Sequence, residues 1–521
     1  MAYREEIETL GDIARLYGKE QPDALCFDCE GRRTTYDDFE SNTNRVANAL
    51  IGMGLKPGDR ISFLGKNSDW YFELLVGGAK AGLVMVSVNW RLAPPEVAYI
   101  LKDSASKVLF AGPEFQDLAT KARAEATNIT DSVEMSAAGF AAWRDAAADS
   151  DPSVPVDPQD VAVQLYTSGT TGHPKGAQLT HANLFASKAI DADATPVWNE
   201  WTADDVSLVA MPNFHIGGTG WGITGLYAGA QNYVMPEFDP TQVLDYIQNY
   251  RITKMFMVPA AMQIVVRDPK AKDTDFSCLK FMLYGASPIP LDLLRECMDM
   301  FGCGFVQMYG MTETTGTVVA LPPEDHDPAG NERMRSAGKP LPGVKISIRD
   351  DNGNELPARE VGEICIHSIQ NMAGYWNLPE ATQSTIGQDG WLRSGDAGYM
   401  DEDGYVYIHD RVKDMIISGG ENIYPAEVEN ALFGHPAVAD VAVVGVPDQK
   451  WGEAVKAMVV LKEGASASEA DLIAHARERI AAFKAPKSVD FIPELPRNPS
   501  GKILRRELRA PYWEGQTRGV A

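Results

Sequence analysis

Residues 166–176 read YTSGTTGHPKG. Three glycines in this stretch let the backbone turn tightly, and its hydroxyl groups and lysine are donors of the kind that phosphate oxygens require. The apolar run Val161–Leu165 precedes the stretch and is typical of a buried strand, so the loop is expected at a strand end. We therefore predict a phosphate-binding loop. Its predicted ligands are Thr167, Ser168, Gly169, Thr170, Thr171, Gly172 and Lys175.

This loop differs from the Walker A motif, which needs Gly-x4-Gly-Lys-Ser/Thr running into a helix. Here Lys175 comes three residues after Gly172 and is followed by Gly176. A flexible surface turn is the alternative interpretation of so many serines, threonines and glycines. The ordered Pro-Lys-Gly ending favours the phosphate loop over such a turn.

Length, hydrophobic content and net charge limit the classes of protein to which this chain can belong. A chain of 521 residues, 45% of them hydrophobic, can bury a large core and is expected to form two or more domains. The formal net charge of -25 argues against a general nucleic-acid-binding protein. An anionic substrate must bind despite repulsion by this net negative charge. Lysines and arginines inside motifs are therefore stronger indications of an anion-binding site.

Neither a disulfide scaffold nor a targeting segment is indicated. The chain has six cysteines, and the Cys26/Cys29 pair lies on a predicted strand, where positions three apart face opposite sides. A metal site there is not expected. The N-terminus lacks a basic start with an apolar core, and no run of about 18 apolar residues occurs. We expect a soluble, cytoplasmic protein without a transmembrane segment.

The fold prediction comes from alternating helix and strand patterns. Strand-like runs at Arg60–Leu64, Gly82–Val88 and Lys107–Ala111 alternate with helical periodicity, which predicts layered α/β architecture with a largely parallel sheet. Beyond Arg335 the pattern changes to short strands separated by Asp- and Gly-rich turns. We predict a large N-terminal domain, residues 1–410, that includes a β subdomain at 336–409. A small, mobile α+β domain at 411–521 follows it.

Five further segments, together with the loop, resemble the signatures of one family, the adenylate-forming acyl-CoA synthetases. That family also contains luciferases, coumarate–CoA ligases and the adenylation domains of peptide synthetases. The segments are Tyr309–Glu313, Ser394–Asp396, Asp410–Asp414, Ser418–Pro425 and Pro496–Lys502. The resemblance covers nearly the whole chain. It implies that a carboxylic acid is activated with ATP to an acyl-adenylate and then transferred to coenzyme A, with release of AMP and pyrophosphate.

The resemblance also implies roles in nucleotide binding. Glu313 would ligate Mg²⁺, and Thr312 would hydrogen-bond the α-phosphate. Asp396 would accept hydrogen bonds from the ribose hydroxyls, with Arg411 adding a charge-assisted bond. Lys502 would be the adenylation lysine, a point charge beside the reacting α-phosphate. Tyr309 would offer a flat face to adenine, next to Gly285 and Ala286, because ligands of open α/β sheets bind beyond the carboxyl ends of strands.

An acyl pocket is implied as well. By resemblance, His215 gates this pocket, although core packing is the alternative interpretation for His215 and for Trp221. The glycines that follow His215 are poor helix formers, so they suggest a close approach of the backbone, and an acyl chain is the ligand we expect there. The predicted pocket residues are His215, Gly217, Trp221, Gly285, Met308 and Gly310.

The second half-reaction needs a different group at the site. Lys413 occupies the family's hinge position, and the side-chain-free Gly419 and Gly420 would let a pantetheine arm pass. Predicted partners are therefore ATP, CoA, Mg²⁺ and a small carboxylic acid. A homodimer is left open.

Several functions compete with the leading one. Medium- to long-chain fatty acids are the preferred substrates, aryl-propenoic acids such as coumarate come second, and short or sulfur-containing acids third. Luciferase-like oxygenation and carrier-protein loading are alternatives within the family. A non-catalytic nucleotide-binding sensor is the alternative from another class. The presence of Lys175, Glu313 and Lys502 argues against a sensor, which has no need of a transferable lysine.

Overall fold

A computed structural model describes residues 4–167, 174–188, 196–411, 414–418, 421–448, 450–497 and 503–514. The side chains of residues 410, 411, 421 and 422 are also outside the description. The strands are β1 (Leu25–Cys29), β2 (Arg32–Thr35), β3 (Arg60–Leu64), β4 (Val84–Val88), β5 (Val108–Ala111), β6 (Asp131–Glu134), β7 (Val161–Thr167), β8 (Lys175–Thr180), β9 (Val206–Val209), β10 (Gln231–Val234), β11 (Lys254–Met257), β12 (Phe281–Gly285), β13 (Gly304–Met311), β14 (Gly316–Leu321), β15 (Lys339–Pro340), β16 (Lys345–Arg349), β17 (Gly362–His367), β18 (Gly374–Tyr375), β19 (Leu392–Met400), β20 (Val406–Arg411), β21 (Ile416–Ser418), β22 (Glu421–Ile423), β23 (Val438–Asp448), β24 (Gly452–Leu461) and β25 (Ser488–Phe491).

Helices alternate with these strands. They are α1 (Leu10–Glu20), α2 (Tyr36–Gly52), α3 (Asp69–Lys80), α4 (Pro94–Asp103), α5 (Gln116–Glu125), α6 (Ala142–Asp145), α7 (His181–Phe185), α8 (Ile216–Tyr227), α9 (Pro240–Tyr250), α10 (Pro259–Arg267), α11 (Leu291–Phe301), α12 (Pro379–Thr385), α13 (Pro425–Phe433), α14 (Glu469–Arg477) and α15 (Arg505–Arg509).

Two large sheets organise the N-terminal domain. One has the order β15-β14-β13-β12-β11-β9-β10-β1-β2, and the other has the order β18-β8-β7-β4-β3-β5-β6. The inner strands of both sheets run parallel, and antiparallel strands are added at the edges. The buried, mostly apolar runs of β4, β5 and β12 explain this arrangement, since parallel strands are covered by helices on both faces. The predicted α/β class is confirmed.

The phosphate-loop segment connects two antiparallel strands. Strand β7 pairs with β8, and Thr167 at its end lies opposite Lys175 at the start of β8. The segment therefore joins one strand to the next, whereas a Walker A loop leads into a helix.

The predicted β subdomain is only partly self-contained. Strands β16, β17, β19 and β20 form an antiparallel four-stranded sheet, but β15 extends one large sheet and β18 extends the other. Strand β20 ends at Arg411, whose backbone pairs with Asp396 of β19. Arg411 is thus part of the N-terminal sheet, one residue past the boundary at 410. Assigning it to the second domain was wrong, because strand pairing continues through it.

The C-terminal unit has a core of its own. Its sheet has the order β22-β21-β24-β23, with β25 added beside β24. Helix α13 carries Val428, Ala431 and Leu432 on its buried side, and Leu472 and Ala476 of α14 pack into the same unit. This is the small α+β domain that was predicted. Within the residues that the structure describes, no helix is long and apolar enough to cross a membrane.

Candidate active site

The carboxylate of Glu313 joins the ends of the two large sheets. Glu313 lies in the single helical turn that follows β13 and is 6% exposed. The Thr167 hydroxyl, at the end of β7 in the other sheet, donates a hydrogen bond to Glu313 Oε1 at 3.1 Å. The Tyr375 hydroxyl donates to the same oxygen at 2.8 Å. The structure therefore brings together the first predicted phosphate ligand and the predicted metal ligand.

The second oxygen of Glu313 suits a cation. In the described part of the chain, both hydrogen bonds to this carboxylate go to Oε1, and no donor reaches Oε2. A hard carboxylate oxygen held in a fixed direction is a ligand that Mg²⁺ accepts alongside phosphate oxygens and water. No group of three His, Cys, Asp or Glu side chains suited to a metal occurs among the described residues. The residues present fit an ion held by one protein carboxylate and the nucleotide.

Lys175 lies over the ring of the tyrosine that contacts this carboxylate. Its ammonium lies 5.0 Å from the centroid of the Tyr375 ring, so one tyrosine contacts both the lysine and Glu313. An ammonium at this distance gains a cation–π attraction without being neutralised. Lys175 forms no ion pair with any carboxylate that the structure describes, and its charge stays available for an anionic ligand.

The base of the phosphate loop is fixed to helix α4. The Tyr166 hydroxyl donates to Asp103 Oδ2 at 2.6 Å, and burial followed by this bond raises the pKa of Tyr166 well above its usual value. On the far side of the loop, the Tyr99 hydroxyl donates to the carbonyl oxygen of Pro174 at 3.3 Å. The Trp376 indole donates to the Asp103 carbonyl at 2.8 Å. Both ends of the loop are thereby attached to one rigid helix.

The predicted adenine and ribose residues are also in contact. The Tyr309 hydroxyl donates to Asp396 Oδ2 at 2.7 Å, joining β13 to β19 across 87 residues of sequence. Asp396 is buried, with 7% of its surface exposed. Strand pairing places the Arg411 backbone opposite Asp396. These contacts agree with a shared nucleotide pocket, while the roles themselves stay predictions.

The C-terminal ends of β12 and β13 leave no room for a side chain at Gly285 or Gly310. A Cβ at Gly285 would overlap the carbonyl oxygen of Met308, and one at Gly310 would overlap that of Gly316. Ala286 has a φ of +67°, in the left-handed region that favours glycine. The backbone is therefore packed tightly where adenine and the acyl group are predicted to lie.

Aromatic rings surround the predicted acyl side. His215 precedes α8, and a Cβ at Gly217, in the first turn of that helix, would lie 3.1 Å from the Phe256 ring. One turn later Trp221 is 8% exposed, with its ring 5.0 Å from Trp201 and 6.3 Å from Phe256. The buried indole N–H of Trp221 meets no hydrogen-bond acceptor in the described residues.

The glycines after His215 require one correction. All of them lie inside helix α8, and a Cβ at Gly218 would overlap the carbonyl of Pro212, while one at Gly222 would overlap the Phe72 ring. The close approach predicted for an acyl chain is, at these two positions, an approach to the protein's own core. Tertiary packing outweighs the low helix propensity of glycine here.

Nine predicted site residues lie outside the described residues, and their roles stay predictions. They are Ser168, Gly169, Thr170, Thr171, Gly172, Lys413, Gly419, Gly420 and Lys502. Their neighbours are described: Ser418 at the end of β21 pairs with Glu421 of β22 and with Gly452 of β24.

Sequence reasoning missed Tyr375. Its two-residue strand, β18, pairs with β8 directly after the phosphate loop, with Tyr375 opposite Ala177. The only local signal was the Gly-Tyr-Trp run at 374–376, which does not indicate a partner 62 residues away.

Two family models match this chain. The model of the AMP-binding enzyme family matches residues 15–376, and the model of the AMP-binding enzyme C-terminal domain matches residues 427–502. The Glu313 junction and the phosphate loop both lie in the first of these segments.

Similar proteins resemble this chain over nearly its whole length. The fatty acid–[acyl-carrier-protein] ligase ScoC of Streptomyces coeruleorubidus is 44% identical, over 99% of this chain and 98% of its own. A feruloyl-CoA synthase from an Amycolatopsis species is 40% identical, over 92% of this chain and 94% of its own. The ATP-bound crystal structure of MatB from Rhodopseudomonas palustris superposes with a TM-score of 0.87 at 32% identity, covering 97% of this chain and 99% of that one.

Proposed function

Because the chain belongs to the AMP-binding enzyme family and is an ATP-dependent acid–thiol ligase, we propose that its nucleotide site lies at the Glu313 junction of the two large sheets. One observation carries this proposal. Thr167 and Tyr375 hold a buried carboxylate, by one of its oxygens, at the edge of the phosphate loop. Lys175 adds a positive charge that no described carboxylate neutralises.

The first half-reaction joins the acid to the nucleotide. A carboxylate oxygen of the acid attacks the α-phosphorus of ATP, the bond to the β-phosphate oxygen breaks, and pyrophosphate leaves. A Mg²⁺ ion on Glu313 would offset phosphate charge when bound. Lys175 and the loop hydroxyls would hold the β- and γ-phosphates, Thr312 the α-phosphate, and Lys502 would stabilise the negative charge that develops during transfer.

The second half-reaction replaces AMP by a thiol. The sulfur of CoA attacks the acyl carbonyl, a tetrahedral intermediate forms, and AMP leaves as the thioester is made. For this step we propose that the C-terminal unit rotates about Lys413. The rotation would remove Lys502 from the site and bring Gly419 and Gly420 to the adenylate. Because ScoC is named as a ligase for acyl-carrier protein, the pantetheine thiol of a carrier protein is the alternative acceptor.

The test measures the two half-reactions separately. Pyrophosphate release is followed with ATP, Mg²⁺ and a panel of acids, without thiol, and then with CoA or with phosphopantetheinylated carrier protein. We expect release that requires an added acid and a thioester product with CoA. Release without acid dependence, or none with any acid, would contradict the assignment and leave a nucleotide-binding sensor.

A fatty acid of medium or long chain is the proposed substrate. The support is the match to a fatty acid ligase over nearly the full length of the chain, together with the apolar rings beside α8. Decanoate and palmitate should then exceed ferulate in kcat/KM.

An aryl-propenoic acid is the second candidate, and one observation favours it. The buried Trp221 N–H meets no acceptor in the described chain, and an unpaired buried donor costs about 1–3 kcal/mol. The hydroxyl or methoxy oxygen on the ring of ferulate could accept this bond, whereas the ring of cinnamate carries no oxygen. If ferulate exceeds both cinnamate and decanoate, the second candidate replaces the first. The cytoplasmic location and the homodimer stay predictions, which cell fractionation and light scattering check.

A further inference from the structure

Tyr375 contacts three parts of the proposed site, although no role was predicted for it. Its backbone pairs with β8 opposite Ala177, its hydroxyl donates to Glu313, and its ring lies under the Lys175 ammonium. Tyr375 is 9% exposed, so these contacts form away from bulk water. One side chain thus connects the cation and the carboxylate that would face the same triphosphate.

The backbone around Tyr375 is fixed independently of these side-chain contacts. The N–H of Tyr375 donates to Thr382 Oγ1 at 2.9 Å, and the N–H of the next residue, Trp376, donates to the carbonyl of Gly176 at 2.8 Å. On the other side, the N–H of Met372 donates to the main-chain carbonyl of Glu313 at 2.8 Å. The segment is therefore attached to both the phosphate-loop hairpin and the turn that carries Glu313.

We propose that Tyr375 is a positioning residue which, together with Thr167, orients the Glu313 carboxylate for a divalent cation. This inference rests on the proposed nucleotide site. Two donors on Oε1 hold the carboxylate through that oxygen and leave Oε2, which receives no described hydrogen bond, for a cation. Groups that hydrogen-bond a metal ligand in this way commonly change metal affinity by about 10–100-fold when removed.

The ring of Tyr375 adds a second constraint. The aromatic face attracts the Lys175 ammonium without neutralising it, and so favours a position of the lysine over the ring of the same tyrosine that contacts Glu313. Tyr375→Phe removes the hydroxyl and keeps the ring. The variant separates the two contributions, and its similar shape leaves the surrounding packing filled.

The experiment measures cation binding directly. Binding of Mn²⁺ is followed by electron paramagnetic resonance in the presence of a non-hydrolysable ATP analogue, for the wild type and for Tyr375→Phe. We expect the Kd for Mn²⁺ to rise about 10-fold, with nucleotide affinity in the absence of metal unchanged. The metal concentration needed for half-maximal adenylation should rise in parallel, while KM for the acid stays the same.

Tyr405→Phe is the matched control. Tyr405 is 3% exposed, and its hydroxyl donates to the carboxylate of Asp325 at 2.7 Å, so the control also removes a buried tyrosine–carboxylate hydrogen bond. Its Mn²⁺ affinity should equal that of the wild type. Thr167→Val removes the other donor to Oε1, and a double-mutant cycle with Tyr375→Phe should show coupling, since both act on one oxygen.

The outcomes separate this inference from the proposed function. An unchanged Mn²⁺ affinity in folded Tyr375→Phe would overturn the positioning role even if acid-dependent pyrophosphate release occurs. If Tyr375→Phe does not fold, Thr167→Val supplies the test. An unchanged Mn²⁺ affinity in that variant would overturn the proposal that two donors orient the carboxylate. Failure of the proposed function appears differently, as a wild-type protein that binds the metal–nucleotide complex and releases no pyrophosphate with any acid.

Discussion

The Glu313 junction and the C-terminal unit contribute to one predicted site in different ways. Around Glu313 the contacts join the two large sheets: the bond from Tyr375 is buried, and the bond from Thr167 is partly buried. The C-terminal unit packs around a core of its own, and Phe433 of α13 contacts both that core and the core of the N-terminal domain. If the proposed site is right, a fixed nucleotide site is combined with catalytic groups that change. The site would lie against the N-terminal core, and the predicted residues Lys502, Gly419 and Gly420 fall within the sequence of the C-terminal unit.

Lys502→Ala gives the largest expected effect and tests this comparison from the C-terminal side. Removing a charge needed only in adenylation should lower acid-dependent pyrophosphate release by roughly 10²-fold or more. Thioester formation from supplied acyl-adenylate should persist. The two rates are measured on one preparation, and equal losses in both would contradict a role limited to the first half.

Lys413→Pro tests whether the C-terminal unit must move. Proline fixes φ near −65°, so the variant should hold the unit in one arrangement. We expect CoA-dependent product formation to fall by about 10-fold or more, the smaller end of the losses caused by misplaced catalytic groups. Pyrophosphate exchange should stay substantial if the retained arrangement presents Lys502. Parallel loss of both activities with an unchanged thermal melt would argue against this rotation of the unit.

Glu313→Gln tests the other side of the comparison, the Glu313 junction in the N-terminal domain. A neutral amide oxygen is a weaker ligand for a hard cation, so the Mg²⁺ concentration for half-maximal adenylation should rise about 10-fold. Thioester formation from supplied acyl-adenylate should keep its rate. A titration of adenylation against Mg²⁺ checks this expectation, and an unchanged midpoint would place the metal elsewhere.

His181→Asn should have the smallest effect on catalysis, and it tests the stability of the N-terminal domain. Burial lowers the pKa of His181 to about 4, and its Nδ1 accepts the Leu10 N–H at 3.1 Å. The imidazole is neutral in the folded protein, whereas the unfolded chain takes up a proton below about pH 6.5. Acidification from pH 6.5 to 4 therefore favours unfolding, by at most about 3 kcal/mol from this group.

In the variant, this part of the acid sensitivity should be absent, since asparagine does not titrate and its amide oxygen can still accept from Leu10. Denaturant unfolding at pH 7 and pH 5 compares the two proteins, and activity at pH 7 should be unchanged. An equal loss of stability in both proteins on acidification would mean that His181 does not contribute.

Much of this architecture could be predicted from the sequence because the signals are local. Strands β7 and β12 are short, mostly apolar runs followed in the sequence by segments rich in Gly or Ser, and α13 begins at Pro425 with buried residues at helical spacing. The family motifs also located Glu313 and Asp396. These features depend on neighbouring residues, so one chain is enough to read them.

The remaining features depend on contacts between distant segments. The donor from Tyr375 lies 62 residues from Glu313, and Thr167 lies 146 residues away. The end of β20 at Arg411 is decided by pairing with β19, and the packing of Gly222 against Phe72 by the three-dimensional core. No periodicity or local propensity contains this information.

The tight packing at Gly285 and Gly310 restricts how new substrate preferences could arise. Any side chain at either position would collide with a main-chain carbonyl, so random mutagenesis of these two sites should yield mostly misfolded protein. Gly217 and Trp221 face the side chain of Phe256 instead, so an added Cβ at Gly217 would meet a ring at 3.1 Å and no main-chain atom. Directed evolution toward other acids should therefore start from positions on helix α8. Natural relatives with other substrate preferences are expected to differ at these same positions.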